Sequence, residues 1–447
     1  MNKLKLIAML ACSIVMATPV FAQDELTLQE AISFALKNKA EAKKSVLDIE
    51  NAEYMIDEVR AGALPQVNGS ASLTYNPLLQ KSALPAEIFG GQPGETIMVA
   101  FGQKWQSNAN VSFTQQIFNQ SLFTGLKAAR STREFYLINN TLTEEALIEK
   151  VANAYYQVFQ TQLQLKTIDI NLESTKKTLN VIDGLVQAGL GKKIDLDRTT
   201  VAVNNLEAQK QQIINALELQ ENALKFAIGM DITTDVNLPE ETFDISLSNL
   251  IETIDVSNRT EIELLNKQTE LLVLNRKAME AAYYPSLSVT GNYGYLGMGN
   301  VFPRFDKKGF QWSNFSGFGL NLSIPIFNGG ATKARIRQAD VEIKKAAVDI
   351  EDTKLGLNLA NENAKAQIKN SLITINTNQS NVQLAKEVLD NTENNYRNGL
   401  ATLTELLEAE NAYADAQNNY TTSLLNYKVA EIQLIKANGN LKSLVND

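Results

Sequence analysis

The 447-residue chain contains no histidine and one cysteine, Cys12. Without an imidazole there is no His–Ser or His–Cys nucleophile activation and no imidazole metal ligand. A single thiol closes no intrachain disulfide and builds no thiolate zinc site. No Gly-x-x-x-x-Gly-Lys-Ser/Thr phosphate loop occurs, so any energy the protein uses comes from elsewhere. Forty-one basic against 50 acidic side chains give a formal charge of −9. That balance argues against nucleic acid or an anionic membrane surface as the main partner. An enzyme would have to work with carboxylates alone, and no converging acid pair stands out, so the expectation is a protein without catalytic residues, cofactor or metal. Beyond the first residues Met55, Met98, Met230, Met279 and Met298 are scattered, which disfavours a soft-metal exporter.

The first 22 residues read as an export signal. Lys3 and Lys5 precede an apolar stretch from Leu6 to Met16, and Val20-Phe21-Ala22 ends in the small residue that signal peptidase favours. The apolar stretch is too short to cross roughly 30 Å of hydrocarbon. Met9-Leu10-Ala11-Cys12 leaves a lipidated N-terminus as an alternative. Cleavage after Ala22 removes Lys3, Lys5 and Cys12, and a cysteine-free product suits an oxidising compartment. No later segment has 18 uninterrupted apolar residues, so no transmembrane helix is expected.

What the chain does have is a repeat of itself. Leu64-Pro65-Gln66-Val67 is echoed by Tyr284-Pro285-Ser286-Leu287, Ile117-Phe118-Asn119 by Ile326-Phe327-Asn328, and Ala188-Gly189-Leu190 by Asn398-Gly399-Leu400. Three landmarks in one order at similar spacing indicate a tandem duplication. The expected division is a first repeat over 23–229, a linker over 230–247 and a second repeat over 248–441. Each repeat runs helix, strand, strand, very long helix, tip turn, helix. The first opens at Thr27, with Glu30 completing a capping box, and its helix continues to about Arg60. The second opens near Ser248 and is stopped by Pro285. The first copy has a longer insert between its strands, read as a loop around Gly90-Gly91-Gln92-Pro93-Gly94.

The strands, about 65–76, 105–118, 286–296 and 312–326, carry the sharpest local signal. Val67, Leu73 and Tyr75 alternate with Asn68, Ser72 and Thr74; Val111 and Phe113 alternate with Asn110, Ser112 and Thr114; Leu320, Leu322, Ile324 and Ile326 alternate with Asn321 and Ser323. Period-two alternation gives a sheet with one apolar and one polar face. A soluble sheet resting on a core shows the same pattern. Strands of about 9–11 residues with a small, uncharged polar face favour a membrane barrel around water. Tyr75, Trp105, Tyr293, Tyr295 and Trp312 are candidates for interfacial girdles.

From Gln120 to Ala188, and from Ala331 to Asn398, there is no proline. At about 1.5 Å per residue each segment extends roughly 100 Å. Return helices follow at about 193–229 and 402–438, after tip turns at about 188–195 and 398–404. In the last helix Leu406, Tyr413, Tyr420, Tyr427 and Leu434 recur every seventh residue, with Ala409, Ala416, Ser423 and Ala430 three places on. Large and small residues at alternating heptad positions suit close coiled-coil packing better than a ligand-binding tyrosine stripe. Leu196, Val203, Leu217 and Leu224 repeat the spacing in the first copy, with Lys210 interrupting. Four membrane strands cannot close a barrel, and open edges are not tolerated in lipid, so several protomers are needed. Three would give twelve strands and room for an aqueous passage.

With these features the chain resembles the TolC family of outer-membrane efflux proteins over essentially its whole mature length. The most specific match is Tyr396-Arg397-Asn398-Gly399-Leu400-Ala401-Thr402-Leu403-Thr404-Glu405-Leu406-Leu407-Glu408-Ala409, which is similar to the family's second helix-turn-helix. The resemblance implies an α+β membrane protein: a homotrimer with a 12-stranded outer-membrane β-barrel and a periplasmic α-helical coiled-coil barrel closed at its inner end. It implies outer-membrane lipid, a periplasmic adaptor and an inner-membrane pump or secretion ATPase as partners, and no nucleic acid. The implied function is the exit duct of a tripartite efflux or type I secretion system. Residue by residue, it implies an acidic entrance ring from Glu405 and Glu408, gate contacts at Asp195 and Tyr396, and tip turns at Gly189 and Gly399. Ala401 stands where the best-studied members have an arginine; Lys192 and Lys193 are candidates to replace it. The rival reading is a pore-free periplasmic coiled-coil scaffold or adhesin, which would have no use for an apolar strand face.

Overall fold

The alternating segments pair into one antiparallel sheet. In the computed structural model, which describes residues 25–239, 255–303 and 309–446, strands β1 (Gln66–Tyr75), β4 (Trp105–Phe118), β5 (Ser286–Gly299) and β6 (Phe310–Ser323) lie in the order β1-β4-β5-β6. None of their residues is charged. The register sets Val67 against Phe113, Leu73 against Ser107 and Tyr75 against Trp105, then Val111 against Tyr293, and Val289 against Leu320. Because directly opposed residues share a face, the apolar sets of all four strands fall on one side. Asn68–Ser112–Asn292 and Thr114–Thr290 fall on the other. Phe318, Leu320 and Val67 on the apolar side are 85%, 75% and 65% exposed, so no layer among the described residues covers that face.

The rings cluster at one end of the sheet. Tyr75 and Trp105 have centroids 4.5 Å apart, and Phe310 and Trp312 5.1 Å apart. Tyr293 and Tyr295 sit in the middle rows instead, opposite Ser316 and Asn314, and belong to no end girdle. The glycines of β5 make room for β6: a Cβ on Gly297 would lie 2.3 Å from the Phe310 ring.

Several boundaries differ from the sequence expectation. β5 continues to Gly299, while β6 starts at Phe310 and stops at Ser323, short of Ile326. Pro325 has no N–H to donate and disfavours continuation of the ladder. The insert between β1 and β4 is not a plain loop. It holds a two-stranded ribbon, β2 (Lys81–Pro85) paired with β3 (Thr96–Ala100). Lys81–Pro85 does not alternate and carries Pro85, and Thr96–Ala100 is a short apolar run, so neither shows the period-two pattern of a strand. The first helix is broken into α1 (Leu28–Asn38) and α2 (Ala40–Ala61), because Lys39 is extended at ψ 137°. The expected capping box at α1 is present, with Thr27 Oγ1 accepting from Glu30 N at 3.2 Å. The signal segment and the expected helix start near Ser248 lie outside the described residues.

The remaining helices are α3 (Gln120–Gln187), α4 (Lys193–Ile228), α5 (Thr260–Glu280), α6 (Ala331–Arg397), α7 (Leu403–Ala437) and the short α8 (Ser443–Asn446). The repeated Ile-Phe-Asn ends in an asparagine at a helix start. Asn119 Oδ1 accepts from Ser121 N at 3.0 Å, and Asn328 bonds the Thr332 hydroxyl. By packing, the described residues of 48–137 and 265–350, which include the sheet, form one compact unit, and the other described residues form another. In the second unit Ala31, Ile32 and Ala35 of α1 pack with Leu147, Val151 and Tyr155 of α3, Leu224 and Ile228 of α4, and Ile432 of α7. The tyrosine stripe of α7 is a seam: Tyr427 and Ala430 are buried against Ile368 and Ile375 of α6, with Tyr420 packed on them. Lys210, the interruption in α4, is paired with Asp169 of α3 at 2.6 Å.

Candidate functional site

The site-bearing residues gather where the long helices reverse. α3 ends in Gly189 at φ +75°, with Leu190 N donating to Leu185 O at 2.8 Å. α6 ends the same way, in Gly399 at φ +73°, with Leu400 N donating to Asn395 O at 2.8 Å. This is the Schellman closure, and only glycine adopts its left-handed residue without strain. The residue after that glycine ordinarily packs back on its own helix. Here Leu190 and Leu400 are 80% and 78% exposed.

Glu405 and Glu408 both lie on the first turns of α7 and both are exposed. Glu405 completes a capping box: its Oε2 accepts from Thr402 N at 2.6 Å and from Thr402 Oγ1 at 3.0 Å. Those two bonds hold its carboxyl below the ordinary glutamate value. Within one protomer the cap thus acts against the upward shift that a crowded acidic ring would impose.

Tyr396 packs against Leu389, Leu406 and Ala409. Its burial, and then the charge of Asp195, push its phenol above the ordinary value. Asp195 therefore lies within electrostatic reach of Tyr396, but the two side chains share no hydrogen bond. Lys192 precedes α4 without making a side-chain cap, and Lys193 is exposed; among the described residues neither has an ion pair.

Beside these tip residues a further cation joins the two hairpins, Arg198, which sequence reasoning missed. Its Nη1 donates to Thr404 Oγ1 at 3.4 Å, joining α4 to α7 one residue from Glu405. Only its spacing hinted at this, three residues after Asp195 on the same helix face. Glu410 was missed as well. It is 4% exposed, and Thr175 Oγ1 of α3 reaches its Oε2 at 3.0 Å. A glutamate in an acidic run reads as solvated; only the packing of α3 on α7 buries it.

The match to known proteins is broad. The family model described as outer membrane efflux protein matches residues 31–230 and 267–440. Outer membrane protein TolC of Vibrio cholerae is 22% identical over 419 residues, 93% of this chain and 91% of that one. The probable efflux pump outer membrane protein TtgC of Pseudomonas putida is 24% identical over 435 residues, 92% of this chain and 82% of that one. Among solved structures, VceC from Vibrio cholerae superposes with a TM-score of 0.71 at 18% identity, covering 93% of this chain and 97% of that one. The open state of MtrE from Neisseria gonorrhoeae gives 0.69 at 20% identity, covering 93% and 89%. The chain is a member of the outer membrane efflux protein family and an outer-membrane protein.

Proposed function

We propose that the protein is the passive exit duct of a tripartite efflux or type I secretion system. The observation that carries this reading is the sheet: four uncharged strands, one bare apolar face, an opposite face that is mostly small and polar apart from Leu296, Met298 and Phe315, and β1 and β6 each with a single neighbour. Unpaired ladder groups are too costly in lipid to remain open. Three protomers close twelve strands, β1 of one against β6 of the next, with the polar faces lining the passage. A pore-free scaffold or adhesin leaves that apolar face without a purpose.

At the tip, Glu405 and Glu408 of three protomers form the acidic entrance ring. Tyr396 and Asp195 are gate contacts, and Arg198 takes the place of the arginine missing at Ala401. Leu190 and Leu400, bared by the turns at Gly189 and Gly399, offer apolar contacts to a periplasmic adaptor, which connects the duct to an inner-membrane pump or secretion ATPase. Outer-membrane lipid surrounds the barrel. The test is the mass of the mature protein in mild detergent, with deletion of residues 286–326 as control. A trimer that the deletion prevents is expected; a stable, folded monomer with all four strands paired rejects the reading.

A further inference from the structure

Glu410 of α7 faces a row of hydroxyls on α3. Thr175 Oγ1 lies 3.0 Å from its Oε2, and Ser174 Oγ and Thr178 Oγ1 each lie 3.4 Å from its Oε1. Thr175 Oγ1 also lies 3.0 Å from the Asn171 carbonyl oxygen, one turn back on α3. A hydroxyl has one hydrogen and cannot donate to both. If Thr175 donates to Asn171, its lone pair faces Glu410, and the bond to Glu410 needs the hydrogen on the carboxyl. A protonated Glu410 satisfies every group in this cluster. An ionised one draws the Thr175 hydrogen from the Asn171 carbonyl, which keeps its helix bond, and holds a charge in a buried place, or else faces an oxygen lone pair there.

The surroundings agree with a neutral carboxyl. Among the described residues no cation pairs with Glu410. The charged group that acts on it is Glu393 of α6, which repels a second negative charge. On α3, Lys176 is paired with Glu207 and Lys177 with Glu173, while on α6 Lys386 is paired with Asp390 and Arg397 with Glu393. Burial, with the repulsion of Glu393, raises the Glu410 carboxyl above its ordinary value despite the hydroxyls.

We propose that Glu410 carries a proton in the closed tip and is the positioning residue that ties α7 to α3, so that loss of the proton lets the two helices part. This rests on the reading of the protein as a gated duct. The sign follows from the raised value. The neutral tie is fully present below the ordinary glutamate value and is lost as pH rises through the folded one. The direction is opposite to that of an ion-pair gate, which acid would break.

The experiment is resting conductance of the full trimer in a planar bilayer between about pH 5 and about pH 8, a range that covers carboxyls raised by burial. Wild type should conduct more as pH rises, by about fivefold, the lower end of ordinary coupling between sites. Glu410→Gln, neutral at every pH, should stay at the low-pH level throughout. Thr175→Val removes the proton's acceptor and should raise the low-pH conductance towards the high-pH level. Infrared difference spectra of wild type against Glu410→Gln read the carboxyl itself, whether or not a pore forms. Its protonated band should titrate above the ordinary glutamate value. The proposal is overturned if Glu410→Gln follows the wild-type pH profile, or if that band titrates at or below the ordinary value. Absence of any pore rejects the duct reading instead, and the infrared titration still decides the proton.

Discussion

Lys39 and Arg259 hold equivalent places in the two halves of the chain, and each closes the end of a return helix with a buried cation. The Lys39 ammonium donates to the Phe226 carbonyl in the last turn of α4 and stands 3.6 Å from the centre of the Phe226 ring. The Arg259 guanidinium donates to the Lys436 carbonyl in the last turn of α7. Both helices end three residues later in a left-handed glycine, Gly229 at φ +76° and Gly439 at φ +75°. A Cβ on Gly229 would lie 3.1 Å from Lys39 Cα, and one on Gly439 3.3 Å from Arg259 Cδ. The cation adds a second donor to a carbonyl that already accepts from the closing glycine N–H, at 3.2 Å for Gly229 and 2.9 Å for Gly439, at the negative end of the helix dipole. The break between α1 and α2 is thereby explained: the extended Lys39 is the residue that reaches α4.

Lys39→Met and Arg259→Met should each destabilise the helical unit by about 1.5–3 kcal/mol, the range for a hydrogen bond to a charged donor. Lys39→Arg, which keeps a donor, should cost less. Thermal unfolding followed by far-ultraviolet circular dichroism reads this. Unchanged midpoints in both methionine variants would show the cations to be surface decoration.

Arg198→Gln should loosen the tip, because the α4–α7 contact at Thr404 is lost. Tyr396→Phe with Asp195→Ala should do less in the resting state, since those two side chains interact through charge and share no hydrogen bond. Single-channel conductance separates the cases. A larger rise from the Tyr396–Asp195 pair than from Arg198→Gln would reverse the assignment.

The cap of α7 should weaken in acid. The Glu405 carboxyl is held low by its bonds from Thr402, so its contribution is present above the ordinary glutamate value and is lost as pH falls through the lower folded one. Amide exchange at Thr402–Leu406 should quicken over that window in wild type and be fast throughout in Glu405→Ala. Flat exchange in wild type across the window would show that the carboxylate does not hold the turn.

Charge at the same place should govern permeation. The proposed ring of Glu405 and Glu408 from three protomers should attract cations and hold multivalent ones more tightly. Glu405→Gln with Glu408→Gln should lower cation selectivity and relieve block by a trivalent cation added from the periplasmic side. Reversal potential and blocking concentration are the readouts. If neither moves, both glutamates are an ordinary solvated helix start.

The extra bulk of a side chain in β5 should be felt at the sheet. Gly297→Val drives a Cβ into the Phe310 and Trp312 rings, where the gaps are 2.3 and 2.8 Å. Assembly into the outer membrane should fall several-fold, read as heat-resistant oligomer on a gel. Normal assembly would mean that the rings move aside freely.

The sequence by itself determined what depends on neighbours along the chain. Strand alternation, the capping box at Thr27, the tip glycines and the proline-free helices are local signals carried by neighbouring residues, although β5 and β6 end at other residues than the alternation suggested. The tyrosine seam of α7 was legible for the same reason, since a seven-residue period already fixes one face of a helix. What only the tertiary structure decided depends on residues far apart in sequence. Lys39 breaks a helix whose local propensity is continuous, because its partner carbonyl lies on α4. Arg198 and Glu410 look solvated in their own helices, and become a strut and a buried carboxyl once α4 and α3 pack beside α7. The Glu405 carboxyl, by contrast, is held low by its bonds from Thr402, a contact three residues along the chain. Hydrogen bonds to a distant helix and the removal of water leave no periodicity in a sequence, so Lys39, Arg198 and Glu410 could be found only by folding the chain.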